Sequence, residues 1–243
     1  MRIGTWNLRL CPSPSSEKGQ RISAWLDDQK ADLWLLTEVH RDWDPRGGRF
    51  LASPPRSFDG DKPKRWAGIE TGLPVTALPA GGEHPGEEGL VLARVDVDGT
   101  SVLVACSVLP WKGAHQYWHG LPTGHFAQFH LVLQHHVERI RGERRAGEPL
   151  VWGGDFNQQL QRPLDGATVK GMAALQSAFD SLGLVALTAG AEHLNGRMRS
   201  IDHLAVSKHF DGSAAQTHRP TWPDGKNLSD HAAYTADVVL PRT

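Results

Sequence analysis

The apolar run ADLWLLTEV, between Ala31 and Val39, constrains this chain more than any other stretch. The run is too short for a typical helix and ends among charged residues, which is the pattern of a strand buried on both faces. An ionised carboxylate at the end of so apolar a run is costly to bury unless it is paired or bound to a cation. We therefore predict a buried strand here, with Glu38 as a candidate functional residue at its end.

The rest of the chain alternates between strand and helix patterns, and strands dominate. The clearest helix is predicted at 124–145, where apolar residues recur at spacings of three and four from Phe126 to Ile140. Residues 41–65 carry Gly, Pro and basic residues without a period, which predicts a long surface loop. Two more helices are predicted at about 17–30, capped by Ser15 or Ser16, and at 170–182. The predicted strands are 2–8, 31–39, 68–78, 89–97, 101–109, 150–153, 184–187, 201–206 and 232–240.

Composition limits the class of protein. A length of 243 residues with 39% hydrophobic content fits one α/β domain over 1–243 better than two small ones. The net charge of -1 indicates no global basic field, although a local basic patch stays open. Cys11 and Cys106 allow one disulfide at most and no cysteine scaffold. The chain shows neither a signal-peptide pattern nor a membrane-length apolar run, so we expect a cytoplasmic protein without a membrane span, taken to be a monomer.

Polar side chains recur at the ends of the predicted strands. In GGDFN, two glycines break an apolar strand before Asp155 and Asn157, and a strand-like alternation points both side chains to the same side. A single Asn or Asp at a strand end is usually a turn former. Strand ends in α/β proteins meet at one edge of a sheet, however, so the whole set is expected to share one pocket. The set comprises Asn7, Glu38, Asp155, Asn157, Asp202, Asp230 and His231.

The chemistry of this set favours a hard cation. Oxygen ligands without thiolates suit Mg²⁺ or Mn²⁺ better than Zn²⁺, and a site with few carboxylates leaves room for a substrate phosphate. A histidine beside them can act as a general base or an electrostatic partner when a carboxylate fixes its tautomer. We assign His231 to the first role and Asp202 to the second. Such a set suits metal-assisted phosphodiester hydrolysis.

Five motifs now carry a resemblance to a known family. The segments TWNLR, LLTEV, GGDFN, SIDHL and LSDHAAY match, in order and approximate spacing, the endonuclease/exonuclease/phosphatase superfamily of deoxyribonucleases, apurinic/apyrimidinic endonucleases, inositol polyphosphate 5-phosphatases and sphingomyelinases. Each motif alone is weak, but the ordered series over residues 1–243 is specific. The resemblance implies an α/β fold, a four-layer sandwich of two mainly antiparallel β-sheets flanked by helices, with the active site at one edge.

The resemblance also implies a metal site. Glu38 would bind the catalytic Mg²⁺ or Mn²⁺, Asn7 would lie beside the metal or the phosphate, and Asp230 would complete the metal environment.

The catalytic roles follow from the same resemblance. Asp155 would align or deprotonate the attacking water, and Asn157 would hold a phosphate oxygen. His231, oriented by Asp202, would contact the scissile phosphate or serve as the base. Members of the superfamily differ over which group is the base, so Asp155 and His231 both stay candidates.

One segment departs from the family pattern. Many relatives place a histidine or tyrosine at the end of the central strand, where this chain reads VACSVLPWKGAHQYWHG. The following loop could supply the phosphate contact instead, and we assign Trp111 and Lys112 to substrate binding. The alternative is that Trp111 and Trp118 are partly buried structural residues. Other candidates in the loop are His115, Tyr117 and His119.

Several residues outside the set carry weaker expectations. Glu70 in WAGIETGLP is expected to be a solvated strand residue, although it could orient a histidine. His135 and His136 are expected at exposed positions of their helix. Trp43 and Trp66, with the basic residues near them, could form an edge that follows phosphates, and an ordinary solvated loop explains them equally well.

The substrate class stays open at this level, because the fold family acts on DNA, RNA, phosphoinositides, sphingomyelin and nucleotide conjugates. We place a metal-dependent nuclease or nucleotide phosphodiesterase first. Its substrate would be a phosphoester, and nucleic acid is one of the candidates. A phosphomonoesterase or a lipid or inositol phosphate hydrolase comes second. A catalytically silent binding module is third, since such a module has no need of Glu38 or of the adjacent Asp230 and His231.

Overall fold

The computed structural model describes residues 1–10, 12–43, 49–58, 62–161, 167–194, 196 and 198–240. These residues form thirteen strands, three helices and two short 3-10 segments, the latter at Pro85–Gly89 and Ala114–Gln116. The helices are α1 (Glu17–Asp28), α2 (His125–Glu143) and α3 (Val169–Leu182). The strands are β1 (Arg2–Asn7), β2 (Leu33–His40), β3 (Phe50–Ala52), β4 (Lys64–Thr71), β5 (Val75–Ala77), β6 (Leu90–Val97), β7 (Thr100–Val108), β8 (Leu150–Asp155), β9 (Leu184–Ala186), β10 (Asp202–Ser207), β11 (Asp211–Gly212), β12 (Gln216–His218) and β13 (Ala233–Val239).

The strands form two sheets. The first has the order β11-β13-β1-β2-β4-β3, with β12 also paired to β13, and the second has the order β5-β6-β7-β8-β10-β9. The pairs β1–β2 and β7–β8 are parallel, and the other pairs among the described strands are antiparallel. The prediction of two mainly antiparallel sheets is therefore confirmed.

Three clusters of buried apolar residues separate four layers. One cluster lies between the sheets and includes Ile3, Val104 and Val151. A second packs α1, through Ile22, against the outer face of the first sheet. The third packs α2 and α3 against the outer face of the second sheet, where Trp152 is fully buried. The four-layer sandwich flanked by helices is thus confirmed.

Strand β2 contains most of the apolar run between Ala31 and Val39, and its burial on both faces explains why the run is apolar. Leu33 and Leu35 point into the cluster between the sheets, whereas Trp34 and Leu36 point into the cluster under α1. Because successive side chains alternate between faces, a strand covered on both sides must be apolar at every position. The run ends where β2 reaches the sheet edge, and Glu38 is the first half-buried residue along the strand.

One predicted strand is wrong. The pattern at 68–78 predicts one continuous strand, but β4 ends at Thr71 in the first sheet and β5 starts at Val75 in the second. The intervening segment contains Gly72 and Pro74, and proline lacks the N–H that a continuous ladder needs. The chain therefore turns there and crosses between the sheets. The loop predicted at 41–65 is also interrupted, because β3 pairs with β4 within it.

Helix α2 corrects the expectation that His135 and His136 are exposed. Both side chains are buried, since this side of the helix packs against the 3-10 segment Pro85–Gly89. Nε2 of His136 lies 2.8 Å from the Gly86 carbonyl oxygen, and Nε2 of His135 lies 2.6 Å from Oε2 of Glu87. The helix is buried on more of its circumference than its apolar stripe predicts.

Two remaining expectations concern the cysteines and membranes. Cys106 is buried as a free thiol, and Cys11 lies outside the described residues. Among the residues that the structure describes, no helix combines the length and apolar character required to cross a bilayer.

Candidate active site

Four strands from both sheets bring polar side chains to one edge of the sandwich. Strand β1 ends at Asn7 beside Thr37 of β2, which places Asn7 next to Glu38. In the second sheet, β8 ends at Asp155, which lies directly opposite Asp202 at the start of β10. Both sheets thus contribute to one cluster of ionisable groups.

The side-chain amide of Asn7 joins the two sheets. Its Nδ2 donates to Oε1 of Glu38 at 3.2 Å and to Oδ2 of Asp155 at 3.0 Å. Its Oδ1 accepts the backbone N–H of Arg9 at 2.8 Å, which fixes the orientation of the amide. Asn7 therefore holds two carboxylates near each other and reduces their repulsion by donating to both.

Glu38 occupies an unusual backbone conformation. Its φ is +53°, in the left-handed region that non-glycine residues rarely adopt. Oε2 of Glu38 also accepts the backbone N–H of Leu10 at 2.7 Å. Strained residues of this kind cluster at functional sites, where neighbouring structure maintains them. The strain and the hydrogen bonds fix where the Glu38 carboxylate lies.

The GGDFN segment turns tightly at the end of β8. Gly154 has a φ of +129°, and a Cβ there would lie 2.0 Å from the carbonyl oxygen of Ser107, so only glycine fits. Oδ1 of Asp155 accepts the backbone N–H of Asn157 at 2.9 Å. Nδ2 of Asn157 donates to the carbonyl oxygen of Leu109 at 2.9 Å. The side chains of Asp155 and Asn157 both line one cavity at this sheet edge. Phe156 packs instead into the apolar cluster between the second sheet and helices α2 and α3.

Asp202 and His231 form a pair at the floor of the site. Nδ1 of His231 lies 2.8 Å from Oδ2 of Asp202, which is fully buried. The backbone N–H of His231 donates to Oγ of Ser229 at 3.1 Å, and this hydroxyl donates to the carbonyl oxygen of Asn7 at 2.7 Å. The chain before β13 is therefore fastened to β1, and the imidazole has one defined position.

Burial and neighbouring charges shift the pKa values of Asp155 and His231. Burial raises the pKa of Asp155, the nearby Asp202 carboxylate raises it further, and His231 opposes both effects. Burial alone would lower the pKa of His231, but Asp202, with Asp155 and Asp230, raises that pKa well above its usual range. The site therefore favours a cation at the imidazole position.

Asp155 and His231 help to line a cavity of about 210 Å³. The lining combines acidic, amide and imidazole side chains with two tryptophans and a valine. The lining residues are Glu38, Trp66, Val108, Trp111, Asp155, Asn157 and His231. The volume suits a phosphate group with part of its substituents.

Most of the site residues predicted from the sequence lie at the cavity or directly behind it, and two lie outside it. Asn7, Glu38, Asp155, Asn157, Asp202 and His231 converge at or directly behind the cavity. Trp111 lines the cavity, while Lys112 is exposed on the same loop. Asp230 lies at the rim, where its half-exposed carboxylate is 3.4 Å from Nε of Arg9.

Two sets of side chains can hold a metal ion. The first is the all-oxygen pair of Glu38 and Asp155, whose donors suit Mg²⁺ or Mn²⁺. The second contains His193, Asp202 and His231, which offer one ligand atom each within 4.8 Å of one another. The oxygen pair fits the cation that the sequence predicts, because its carboxylates face the cavity where a phosphate would bind.

His193 is the neighbour that sequence reasoning missed. Its ring centroid lies 5.3 Å from that of His231, and its Nε2 is buried without a hydrogen-bond partner among the described residues. The hydroxyl of Tyr234 holds this loop by donating to the carbonyl oxygen of Glu192 at 2.9 Å. A lone histidine in a loop carries no periodic signal, so no pattern marked it.

Two other expectations are wrong. Glu70 is only 3% exposed, and its Oε2 accepts Nε1–H of Trp43 at 3.2 Å. Trp43 is fully buried in the cluster under α1, so it cannot form part of an exposed phosphate-binding edge. Trp66 is buried against Trp118 and also lines the cavity. The alternative of a structural role holds for Trp118, which is fully buried.

Comparisons with known proteins identify the family of the chain. The model of the endonuclease/exonuclease/phosphatase family matches residues 4–231.

The chain belongs to the endonuclease/exonuclease/phosphatase family.

The phosphoesterase fold of the family also appears among solved structures. The endonuclease domain of TRAS1, a telomere-specific non-LTR retrotransposon, superposes with a TM-score of 0.67 at 18% identity, covering 99% of each chain. The mannosyl-6-phosphatase Bt3783 of Bacteroides thetaiotaomicron gives 0.64 at 17% identity, covering 99% of this chain and 100% of the other. The human Nocturnin catalytic domain with bound sulfate gives 0.63 at 17% identity, covering 99% and 94%. No curated protein matches the chain at the level of sequence. At these identities the structural likeness shows the fold alone.

Proposed function

We propose that this family member is a divalent-metal-dependent phosphodiester hydrolase, acting as a nuclease or nucleotide phosphodiesterase. The observation that carries the proposal is the Asn7 amide, which joins the Glu38 and Asp155 carboxylates beside the Asp202–His231 pair at one cavity. Phosphodiester hydrolysis requires an activated water, charge stabilisation at phosphorus and a stabilised leaving oxygen. The cavity groups can divide these tasks.

Glu38 would hold the cation. The cation, Mg²⁺ or Mn²⁺, supplies charge neutralisation for the phosphate and the leaving oxygen. Asn7 lies next to Glu38, but its Oδ1 is engaged with Arg9, so its part is to position Glu38 and Asp155. Asp230 would join the metal environment after its carboxylate leaves the guanidinium of Arg9.

Asp155 would align the attacking water and accept its proton. The N–H of Asn157 and Nδ2 of Asn7 hold its two oxygens, which leaves further lone pairs directed at the cavity. Burial raises the pKa of this carboxyl, which makes it a stronger proton acceptor than an exposed aspartate.

His231 and Asn157 would bind the phosphate oxygens. Asp202 accepts from Nδ1–H of His231 and favours the imidazolium form, in which Nε2–H is left to donate into the cavity. The amide nitrogen of Asn157 carries two hydrogens, and only one is used by Leu109. Both donors therefore stabilise the negative charge that develops on phosphorus oxygens.

Trp111 and Lys112 would contact the substrate beyond the phosphate. Trp111 lines the cavity, and Lys112 extends from the same loop into solvent. An aromatic face and a flexible ammonium beside a phosphate cavity suit a nucleotide. A phosphomonoesterase is the second candidate, because a cavity of about 210 Å³ also accommodates a single terminal phosphate.

A substrate panel tests the proposal. The protein is incubated with Mg²⁺ or Mn²⁺ and plasmid DNA, RNA, bis(p-nitrophenyl) phosphate, inositol phosphates and sphingomyelin. We expect cation-dependent cleavage of nucleic acid or of the small diester, which EDTA abolishes. Release of phosphate from monoesters without strand cleavage would favour the second candidate, and no turnover on any phosphoester would reject both.

A further inference from the structure

Aromatic side chains continue from the cavity onto the protein surface. Trp111 lines the cavity, its ring centroid lies 6.2 Å from that of Tyr117, and the Tyr117 ring lies 5.4 Å from that of Phe58. Tyr117 is 43% exposed and Phe58 is 47% exposed. We name these three residues the aromatic shelf. Large apolar side chains exposed together, rather than singly, mark a binding surface.

Hydrogen bonds fasten together the two loops that carry the shelf. Glu88 is buried and accepts both the backbone N–H and the hydroxyl of Ser57, the residue before Phe58. Oγ of Ser57 in turn accepts the backbone N–H of His119 at 2.9 Å. The contact between Phe58 and Tyr117 is therefore maintained by a buried carboxylate.

The loop that carries Trp111 and Tyr117 is fixed from below as well. Gln128 of α2 is fully buried, and its Nε2 donates to the carbonyl oxygen of Trp111 at 2.9 Å. Its Oε1 accepts the backbone N–H of His115 at 3.1 Å. A buried glutamine that uses both ends to hold a surface loop gives that loop a defined shape. The shelf is thus ordered before a ligand arrives, which lowers the entropy cost of binding.

Two cationic side chains and a histidine flank the shelf. The guanidinium of Arg56 lies 3.8 Å from the centroid of the Trp66 ring, which contacts Trp111 edge to face at 5.4 Å. Lys112 and His119 are exposed on the loop that carries Tyr117. Exposed rings beside a phosphate cavity, with cations around them, match the way proteins bind single-stranded nucleic acid.

We propose that the aromatic shelf stacks the nucleobases that adjoin the scissile phosphate, which makes single-stranded nucleic acid the preferred substrate. The inference rests on the proposed phosphodiesterase function and names its substrate class. Bases in a duplex are stacked on one another and present no free face to Tyr117 or Phe58, whereas bases in a single strand do. An acyl chain would require a continuous apolar groove, and the shelf is bordered by Lys112 and His119 instead.

Two substrates test the inference. One is a short single-stranded oligodeoxynucleotide, and the other is a strand of the same length whose residues lack bases but keep the phosphodiester backbone. We expect the wild-type kcat/KM to be about 10-fold or more higher for the strand with bases, as base stacking on aromatic residues implies. Replacing Tyr117 and Phe58 together by Ala should lower this ratio several-fold while Trp111 stays in place, whereas Tyr117→Phe should preserve it. Val185→Ala, at an exposed apolar side chain of β9, is the matched control and should leave the ratio unchanged.

Binding separates failure of this inference from failure of the proposed function. Fluorescence anisotropy in EDTA measures the affinity of the same two strands without turnover. Tighter binding of the strand with bases, weakened in the double Ala variant, supports the shelf even when the protein cleaves no phosphoester of the substrate panel, an outcome that would refute the hydrolase alone. Equal cleavage of both strands, equal binding of both, or no binding of either would overturn the shelf, and the first of these would leave the hydrolase standing.

Discussion

Nδ1 of His231 lies 2.8 Å from Oδ2 of Asp202, a carboxylate with no exposed surface. The pair spans the two sheets, since Asp202 begins β10 and His231 comes shortly before β13. A buried carboxylate that accepts from one imidazole nitrogen holds the ring in place, favours its protonated form and directs the other nitrogen outward, here towards the cavity. We conclude that the position of His231 depends on Asp202.

Asp202→Asn should therefore lower turnover strongly. The amide keeps the shape of the carboxyl but removes the charge that favours the imidazolium form of His231. We expect kcat to fall about 100-fold or more with little change in KM, in line with the loss of a positioned donor to the phosphate oxygens in the transition state. Steady-state kinetics on a phosphodiester measures this, with Asp211→Asn at an exposed strand as the control. Wild-type kcat in Asp202→Asn would show that the pair has no part in turnover.

Glu38→Gln and His231→Ala should have different effects on catalysis, because Glu38 is the proposed cation ligand and His231 the proposed phosphate contact. Glu38→Gln keeps a side chain of the same length but removes the charge on the proposed cation ligand, so a higher Mg²⁺ or Mn²⁺ concentration should be required for half-maximal rate. His231→Ala should lower the rate at every cation concentration without moving that midpoint. Cation titrations of the initial rate distinguish the two effects. If both variants keep the wild-type rate and midpoint, the site is assigned to the wrong residues.

Gly154→Ala should disrupt both stability and activity. A Cβ at Gly154 would meet the backbone oxygen of Ser107 at 2.0 Å, and the φ of +129° is unfavourable for alanine. We expect a loss of about 2–4 kcal/mol in the free energy of unfolding, measured in urea, and a misplaced Asp155. Gly142→Ala in α2 is the control, because a Cβ there meets nothing within 4 Å. That control should gain about 0.5–1 kcal/mol. Equal stability of the two variants would contradict the account of the GGDFN turn.

Acid should destabilise the fold through two buried histidines. Burial lowers the pKa of His136 to about 3 and that of His203 to about 4. The unfolded chain binds a proton at each histidine below about pH 6.5, while the folded chain stays neutral there, so stability falls as pH drops from 6.5 towards 4. Each group contributes a slope of about 1.4 kcal/mol per pH unit over this range.

Urea unfolding at a series of pH values measures that slope. His136→Gln retains a donor for the Gly86 carbonyl oxygen but does not titrate, so its stability should depend less steeply on pH than that of the wild type. Parallel pH profiles for the two proteins would mean that His136 binds its proton equally well in the folded and unfolded states.

The features that sequence reasoning predicted are those with local signals. The continuous apolar character of β2 follows from burial on both faces, and Ser16 caps α1 by accepting the N–H of Gly19 at 3.0 Å, one of the two caps expected. Asp155 and Asn157 stand in a motif whose glycines and polar residues are adjacent in the chain. These signals survive in a single sequence because they depend on neighbours within a few residues.

The features that were missed depend on distant contacts. Trp43 meets Glu70 only because the chain between them folds back as β3, and nothing near either residue indicates this. His136 is buried by the 3-10 segment Pro85–Gly89, far away in sequence. The short strand β12 is largely exposed and lacks an apolar pattern, so it becomes visible only through its pairing with β13. The position of His193 beside His231 has the same origin.

The location of a bound cation tests the central claim most directly. A crystal of the protein soaked in Mn²⁺, with anomalous scattering recorded for manganese, shows where the ion lies. We predict a peak beside the Glu38 carboxylate, in the cavity that Asp155 and His231 also line. A peak among His193, Asp202 and His231, with none at Glu38, would contradict the proposed site.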